Sequence, residues 1–320
     1  MGNTMYPGHW ATLKPHTDAV IDATSGAKLS WQELDQRSNQ VAQLLYARGL
    51  RPGDHISLLM QNDLAFFEIA WGAYRSGLYI TCINRYLTVE EAAYIINDSN
   101  SKALFTADAL AITGGLPALT TECNQRFITG AETSGYEGYE AAIATQPNTP
   151  LAAQPAGDAM LYSSGTTGQP KGIKRPLSGE HISGGFPGVE VNNPYGINAD
   201  SIYLSPAPLY HAAPFGYCMR TLALGGQVVM MQRFDPELSL STLRLSNHPF
   251  SMGAHNVRAH AETTKRAARS LRLKLTPLRN SCRRPMPGRN KATNDDLVGA
   301  DIMGVLRRNG AEWINGNRPR

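Results

Sequence analysis

Cysteine is scarce. Cys82, Cys123, Cys218 and Cys282 are the four in 320 residues. They are scattered, and no pair stands at metal-ligand or redox spacing. That pattern excludes a cysteine-built metal or thioredoxin-like centre and predicts free thiols in a reducing compartment. Long apolar runs are also missing. No stretch approaches the ~20 residues needed to cross a bilayer, so no membrane-spanning helix is expected. The start has no basic segment leading into an apolar one, so no signal peptide is read there. Gly2 follows Met1, but Tyr6 breaks the myristoylation pattern. The expected location is cytoplasmic, with peripheral membrane contact left open. Internal repeats are absent. The rest of the composition is that of an ordinary globular protein, with 42% apolar and 18% charged residues. The length allows two domains.

Charge is unevenly placed. The formal total is +4. From Ser246 onward basic residues exceed acidic ones by about ten, which leaves the preceding part acidic by about six. Aromatics nearly vanish in the same stretch, with Phe250 and Trp313 its two members. Helical and alternating periodicity fade there. Leu271, Leu273 and Leu275 alternate with Arg272 and Lys274, but no partner strand is evident. Cys282-Arg283-Arg284-Pro285 and Asn317-Arg318-Pro319-Arg320 resemble disordered basic sequence.

Before that point the pattern is strongly regular. Val20 to Asp22, the Thr24-Ser25-Gly26 turn and Leu29 predict a small hairpin. Ser30 to Arg48 is predicted as a helix: Ser30 and Glu33 form a capping box, Leu34, Val41 and Leu45 share a face, and Gly49 stops it. A turn at Pro52-Gly53-Asp54 leads to a strand from His55 to Met60. Asp63 to Ser76 is expected to be a helix capped by Asn62 and closed by Gly77. Tyr79 to Ile83 reads as a strand, Thr88 to Asp98 as a helix boxed by Thr88 and Glu91, and Ala103 to Thr106 as a strand. Residues 146–155 are rich in Pro, Asn, Gln and Ala and read as a linker. A glycine-rich region spans residues 183–188. Farther on come a strand from Ser201 to Pro206, a helix from Pro214 to Leu224 stopped by Gly225-Gly226, a strand from Gln227 to Met231, and a helix starting at Asp235-Pro236-Glu237. Strands alternating with helices at this spacing argue for βαβ units and a mostly parallel sheet.

The richest stretch is Tyr162-Ser163-Ser164-Gly165-Thr166-Thr167-Gly168-Gln169-Pro170-Lys171-Gly172. Most of its positions are Ser, Thr or Gly. Such residues let the backbone approach a bulky anion and offer many short donors. Lys171 adds a point charge suited to a phosphate oxygen. Gly172 stands where a Walker A loop needs Ser or Thr, so it is not that motif. The plain alternative is a surface loop. Apolar strand candidates on both sides, Ala159 to Tyr162 and Gly172 to Lys174, favour phosphate binding over a mere linker.

This loop resembles the signature loop of the adenylate-forming superfamily, which includes acyl-CoA synthetases and coumarate-CoA ligases. The resemblance extends along the chain in order. Leu29-Ser30-Trp31-Gln32-Glu33-Leu34 is similar to the family's T-Y-x-E-L segment, and Gly49-Leu50-Arg51-Pro52-Gly53-Asp54 to its G-v-x-x-G-D turn. Ala73-Tyr74-Arg75-Ser76-Gly77 is similar to its a-x-x-k-a-G helix end, and Pro206-Ala207-Pro208-Leu209-Tyr210-His211 to its P-l-f-H segment. Residues 20–243 carry the likeness, in the style of fatty or aromatic acyl-CoA ligases. It implies an α/β fold of mixed, mostly parallel sheets flanked by helices: an incomplete large N-terminal domain over 1–245, with an irregular basic tail over 246–320. It also implies activation of a carboxylic acid, of fatty type, with ATP, then transfer to coenzyme A. By resemblance Ser163, Ser164, Gly165, Thr166, Thr167 and Gly168 would wrap the phosphates, with Mg²⁺ near Thr167. Lys171 would neutralise charge, and His211 would sit between the acyl pocket and the adenylate. Without its Pro-Leu-Tyr context, His211 would read as an ordinary packed or surface histidine. Tyr210 and Met219 read as plain core.

Other family hallmarks are missing. No aromatic-Gly-x-Thr-Glu segment, no Thr-Gly-Asp and no small C-terminal domain with its lysine can be found after residue 243. The abrupt change suggests that residues from 244 or 246 are a shifted reading frame. Little or no complete ligase activity, and poor solubility or partial order past residue 240, are therefore expected. The competing readings are a non-catalytic nucleotide- or acyl-binding remnant, and a tail that binds nucleic acid or anionic membrane. No specific nucleic acid is expected.

Overall fold

The computed structural model describes residues 6–163, 169–184, 196–245 and 250–252. The loop residues 164–168 and the tail from 253 lie outside them.

The hairpin forms as expected. Strand β1 (Asp18–Asp22) pairs antiparallel with β2 (Lys28–Ser30). Helix α2 (Trp31–Ala47) starts on the full Ser30–Glu33 capping box, and Leu34, Val41 and Leu45 are buried on one face. Strand β3 (His55–Leu59) leads to α3 (Leu64–Tyr74), then β4 (Tyr79–Cys82). Helix α4 (Val89–Asp98) carries the Thr88–Glu91 box, and β5 (Ser101–Ala107) follows. Glycines in the left-handed region, Gly49 and Gly77, end α2 and α3.

Several elements were not legible in the sequence. Helix α1 (Pro7–Leu13) precedes β1. It is anchored by Lys14, whose ammonium lies 5.3 Å from both the Trp10 and Trp31 rings. Between β5 and the linker lie α5 (Leu116–Leu119), β6 (Gln125–Thr129), β7 (Glu137–Gly138) and α6 (Tyr139–Ala144). These pieces are too short to show a clear period. The linker is held by side-chain amides of α2. Asn39, Gln40 and Gln43 donate to the carbonyls of Asn148, Gln146 and Thr149 at 3.1, 3.3 and 2.9 Å.

Past the linker come β8 (Asp158–Ala159), β9 (Leu161–Ser163), β10 (Lys171–Ile173), β11 (Ile202–Ser205), α7 (Ala212–Ala223), β12 (Gln227–Met230), α8 (Pro236–Leu245) and β13 (Phe250–Met252). The boundary expected at residue 245 thus falls between α8 and β13.

Two larger sheets result. One is parallel throughout, in the order β7-β6-β5-β3-β4-β8. The other runs β13-β11-β12-β1-β2, parallel except at β1–β2. The expected α/β class is what forms. Helix α3 is buried from Ala65 through Tyr74. A helix apolar all round belongs in a core rather than on a surface. Phe66 and Tyr74 on α3 reach Phe215 on α7, with ring centroids 5.9 and 6.1 Å apart. One continuous core therefore joins residues of both sheets.

Asn62 is a correction. It does not cap α3; Asp63 does, its carboxylate accepting from the Ala65 N–H at 2.9 Å. Asn62 is instead engaged elsewhere.

Candidate functional site

The hydroxyl-rich loop grows from a hairpin. Strand β8 runs parallel to β4, with Tyr79 opposite Asp158 and Ile80 opposite Ala159. The chain therefore leaves β8 at the carboxyl side of the parallel sheet and continues into β9. Strands β9 and β10 pair antiparallel, placing Lys171 opposite Ser163, Gly172 opposite Tyr162 and Ile173 opposite Leu161. Residues 164–170 join the two strands along the chain.

Helix α4 fixes this hairpin. The Tyr162 hydroxyl donates to Asp98 at 2.6 Å, and the Tyr94 hydroxyl donates to the Pro170 carbonyl at 3.3 Å. Burial and then the Asp98 bond push the Tyr162 hydroxyl up, so it stays a donor at neutral pH. Gly172 has a structural reason. A Cβ there would press on Met160 Cε and lie 3.0 Å from the Tyr162 ring. Lys171 is exposed beside it.

Among the predicted residues, Ser163 closes β9 and Lys171 opens β10, so the structure brings their backbones together. Ser164, Gly165, Thr166, Thr167 and Gly168 lie outside the described residues. His211 is exposed, in extended conformation, as the residue before α7, and its carbonyl accepts from Phe215 N–H at 3.1 Å. Helix α7 starts at Ala212 rather than Pro214. Met219 is buried core, as read. Tyr210 is not plain core: it is half-buried, and its ring lies 4.5 Å from His211 and 6.5 Å edge-on from Tyr86.

Tyr86 and Arg85 were missed. They follow β4, where a Tyr in a loop gives no periodic signal. Tyr86 is 66% exposed, and Arg85 donates to its hydroxyl at 2.7 Å. The segment after β4 thereby meets the segment after β11. Both lie at the carboxyl ends of parallel strands, where open α/β sheets bind their ligands.

The chemistry of this donor set suits a polyanion held on the hairpin loop, with Lys171 for charge. Among the described residues no three His, Cys, Asp or Glu gather to hold a metal ion. Thr167, the residue read for Mg²⁺, is outside them. The described cysteines are free, and burial raises the Cys123 and Cys218 thiols to about 12, which leaves them inert. No described helix is long and apolar enough to cross a membrane.

The sequence profile of the AMP-binding enzyme matches residues 8–249. The chain belongs to the AMP-binding enzyme family. A feruloyl-CoA synthase from Amycolatopsis sp. is 30% identical over 239 residues, covering 74% of this chain and 45% of that protein. The long-chain-fatty-acid–CoA ligase FadD13 of Mycobacterium tuberculosis (strain ATCC 25618 / H37Rv) is 26% identical over 235 residues, covering 70% and 44%. The chain thus spans less than half the length of these relatives. Among solved structures, a putative long-chain-fatty-acid CoA ligase from Rhodopseudomonas palustris CGA009 superposes with a TM-score of 0.67 at 17% identity. It covers 80% of this chain and 64% of that one. That likeness is one of fold.

Proposed function

We propose that this chain carries the nucleotide-gripping part of an acid-activating ligase. The carboxylate of a small organic acid attacks the α-phosphate of ATP, forming an acyl-adenylate and expelling pyrophosphate. A coenzyme A thiolate then displaces AMP. The observation that carries the reading is the family match across residues 8–249, which includes the hairpin-rooted loop. In this reading residues 163–168 hold the β- and γ-phosphates through backbone and hydroxyl donors, and Lys171 neutralises the leaving pyrophosphate. Phosphoryl chemistry of this kind depends mainly on positioning and on charge neutralisation. Mg²⁺, read at Thr167, would supply further charge neutralisation when bound. His211 and Tyr210 would face the acyl-adenylate. The named relatives are a feruloyl-CoA synthase and a long-chain-fatty-acid–CoA ligase; a fatty acid remains our reading of the substrate here, in a cytoplasmic setting.

ATP should raise the melting temperature of the purified chain. Lys171→Ala should weaken that binding about tenfold or more, the scale of one lost charge-assisted bond. ATP affinity unchanged from the unmodified chain in both Lys171→Ala and Thr166→Val would remove the loop from the phosphate site.

We also hold that residues from about 246 are a shifted reading frame. Arginine enrichment and the loss of periodicity support this. The coding DNA past codon 245 decides it: another frame should restore a family-like sequence, and failure of both alternatives ends the idea. On this reading, pyrophosphate exchange with ATP and a fatty acid stays near background, and robust turnover would refute it.

A further inference from the structure

Asn62 follows β3 and is 5% exposed. Its amide makes three hydrogen bonds, all to distant backbone. Nδ2 donates to the carbonyls of Ala207 and Met231 at 3.0 and 2.7 Å. Oδ1 accepts from the Leu209 N–H at 2.8 Å. The two carbonyls fix the amide's orientation, because a flipped side chain would set its oxygen against both of them.

The partners lie on segments that follow strands of the second sheet. Met231 follows β12, and Ala207 and Leu209 lie on the segment from β11 to His211. Ala207 and Leu209 are themselves buried, so water does not replace a lost partner there without cost. Few side chains can do this. Aspartate lacks the donors and would bring charge against two carbonyls. Serine is too short to reach three groups. Helix α3 makes no claim on Asn62, since Asp63 caps it.

We propose that Asn62 is a positioning residue for the activation site. It ties the carboxyl edge of the six-stranded sheet to the segment bearing Tyr210 and His211, and so sets where the His211 ring stands. Its role in ligand binding rests on the function proposed above; its role in placing His211 does not.

The test uses the full 320-residue chain with Asn62→Asp, Asn62→Ser and, as a control, Asp63→Ala. The control weakens the start of α3 without touching the segment before His211. His211 imidazole signals, assigned by their loss in His211→Gln, are followed through a pH titration by NMR. They should move in both Asn62 variants and stay in place in Asp63→Ala. Affinity is read with two probes, ATP and decanoyl-sulfamoyl-adenosine, a stable acyl-adenylate mimic. The Asn62 variants should lose tenfold or more for the mimic and stay within twofold for ATP. In the unmodified chain the Leu209 amide should exchange hydrogen at least a hundredfold more slowly than an open-loop amide, a readout that needs no variant to fold. Unshifted His211 signals in the Asn62 variants, equal shifts in the control, or an unprotected Leu209 amide would overturn the proposal. If the unmodified chain binds neither probe, the functional reading falls, and the His211 and Leu209 signals still judge Asn62.

Discussion

His55 opens β3 with its ring buried and stacked on Tyr79, centroids 4.7 Å apart. The Lys174 ammonium lies 2.9 Å from Nε2. An ammonium only donates, so Nε2 accepts and the proton sits on Nδ1. Nδ1 has no partner among the described residues. Burial first, and then Lys174, pull the pKa down to about 4, with Asp54 opposing. The unfolded histidine takes up a proton near 6.5, which the folded one resists. Stability is therefore fully present above about 6.5, lost as pH falls toward 4, and flat below; the loss reaches about 3 kcal/mol. Urea unfolding of the native chain and His55→Gln between pH 7.5 and 4.5 reads this directly. The variant should lack that share of the slope, and parallel slopes would exonerate His55. Gly157 makes a second prediction. A Cβ there would press on the Leu78 carbonyl and lie 2.9 Å from its nitrogen. Backbone cannot step aside, so Gly157→Ala should cost about 2–3 kcal/mol. Gly172→Ala should cost clearly less, because the Met160 tip can swing away.

Helices α2 and α3 are clamped by Arg75, whose side chain is 2% exposed. Its guanidinium donates to Asp35 Oδ1 at 2.7 Å, and to the Asp35 carbonyl and Ser38 Oγ at 3.0 Å each. Removing Arg75 leaves a half-buried Asp35 carboxylate and the buried Ser38 hydroxyl without that donor. Arg75→Ala should therefore lower the unfolding free energy by about 2–3 kcal/mol, with Arg75→Lys in between. A near-neutral Arg75→Ala would show that the helices pack through apolar contact alone. Helix α6 docks through a second group. Tyr139 donates to Glu68 Oε2 at 2.7 Å, and Arg37 Nε pairs with Glu68 Oε1 at 2.7 Å. Burial raises the Glu68 carboxyl, and Arg37 and Tyr139 offset only part of that. Tyr139→Phe leaves a buried oxygen short of a donor and should cost about 1–3 kcal/mol, read from denaturant midpoints at unchanged m-value.

At the scale of the molecule, β13 is an edge strand of the second sheet. Strand β13 covers β11, with Ile202, Tyr203 and Leu204 opposite Phe250, Ser251 and Met252. Ending the chain at residue 245 would bare that edge. Such a chain should melt lower and associate more than one ending at residue 252, because an open strand edge invites pairing. Scanning fluorimetry and gel filtration compare the two, and identical behaviour would mean that β13 adds nothing to the second sheet.

The sequence by itself determined the pieces whose signals are local. Both capping boxes, the glycine stops after α2 and α3, the β1–β2 hairpin and the alternation giving a parallel sheet each depend on residues a few positions apart. The two strands that flank the hydroxyl-rich stretch, β9 and β10, were legible for the same reason. Only the tertiary structure decided what Asn62 does. In sequence it stands one residue before a helix and looks like a cap, yet its partners are 145, 147 and 169 positions away. It likewise decided that Tyr86 meets Tyr210 and that α2 amides hold the linker. Such contacts exist because buried polar groups must find partners once two sheets pack on one core, and no spacing along the chain records which sheet edge will be near.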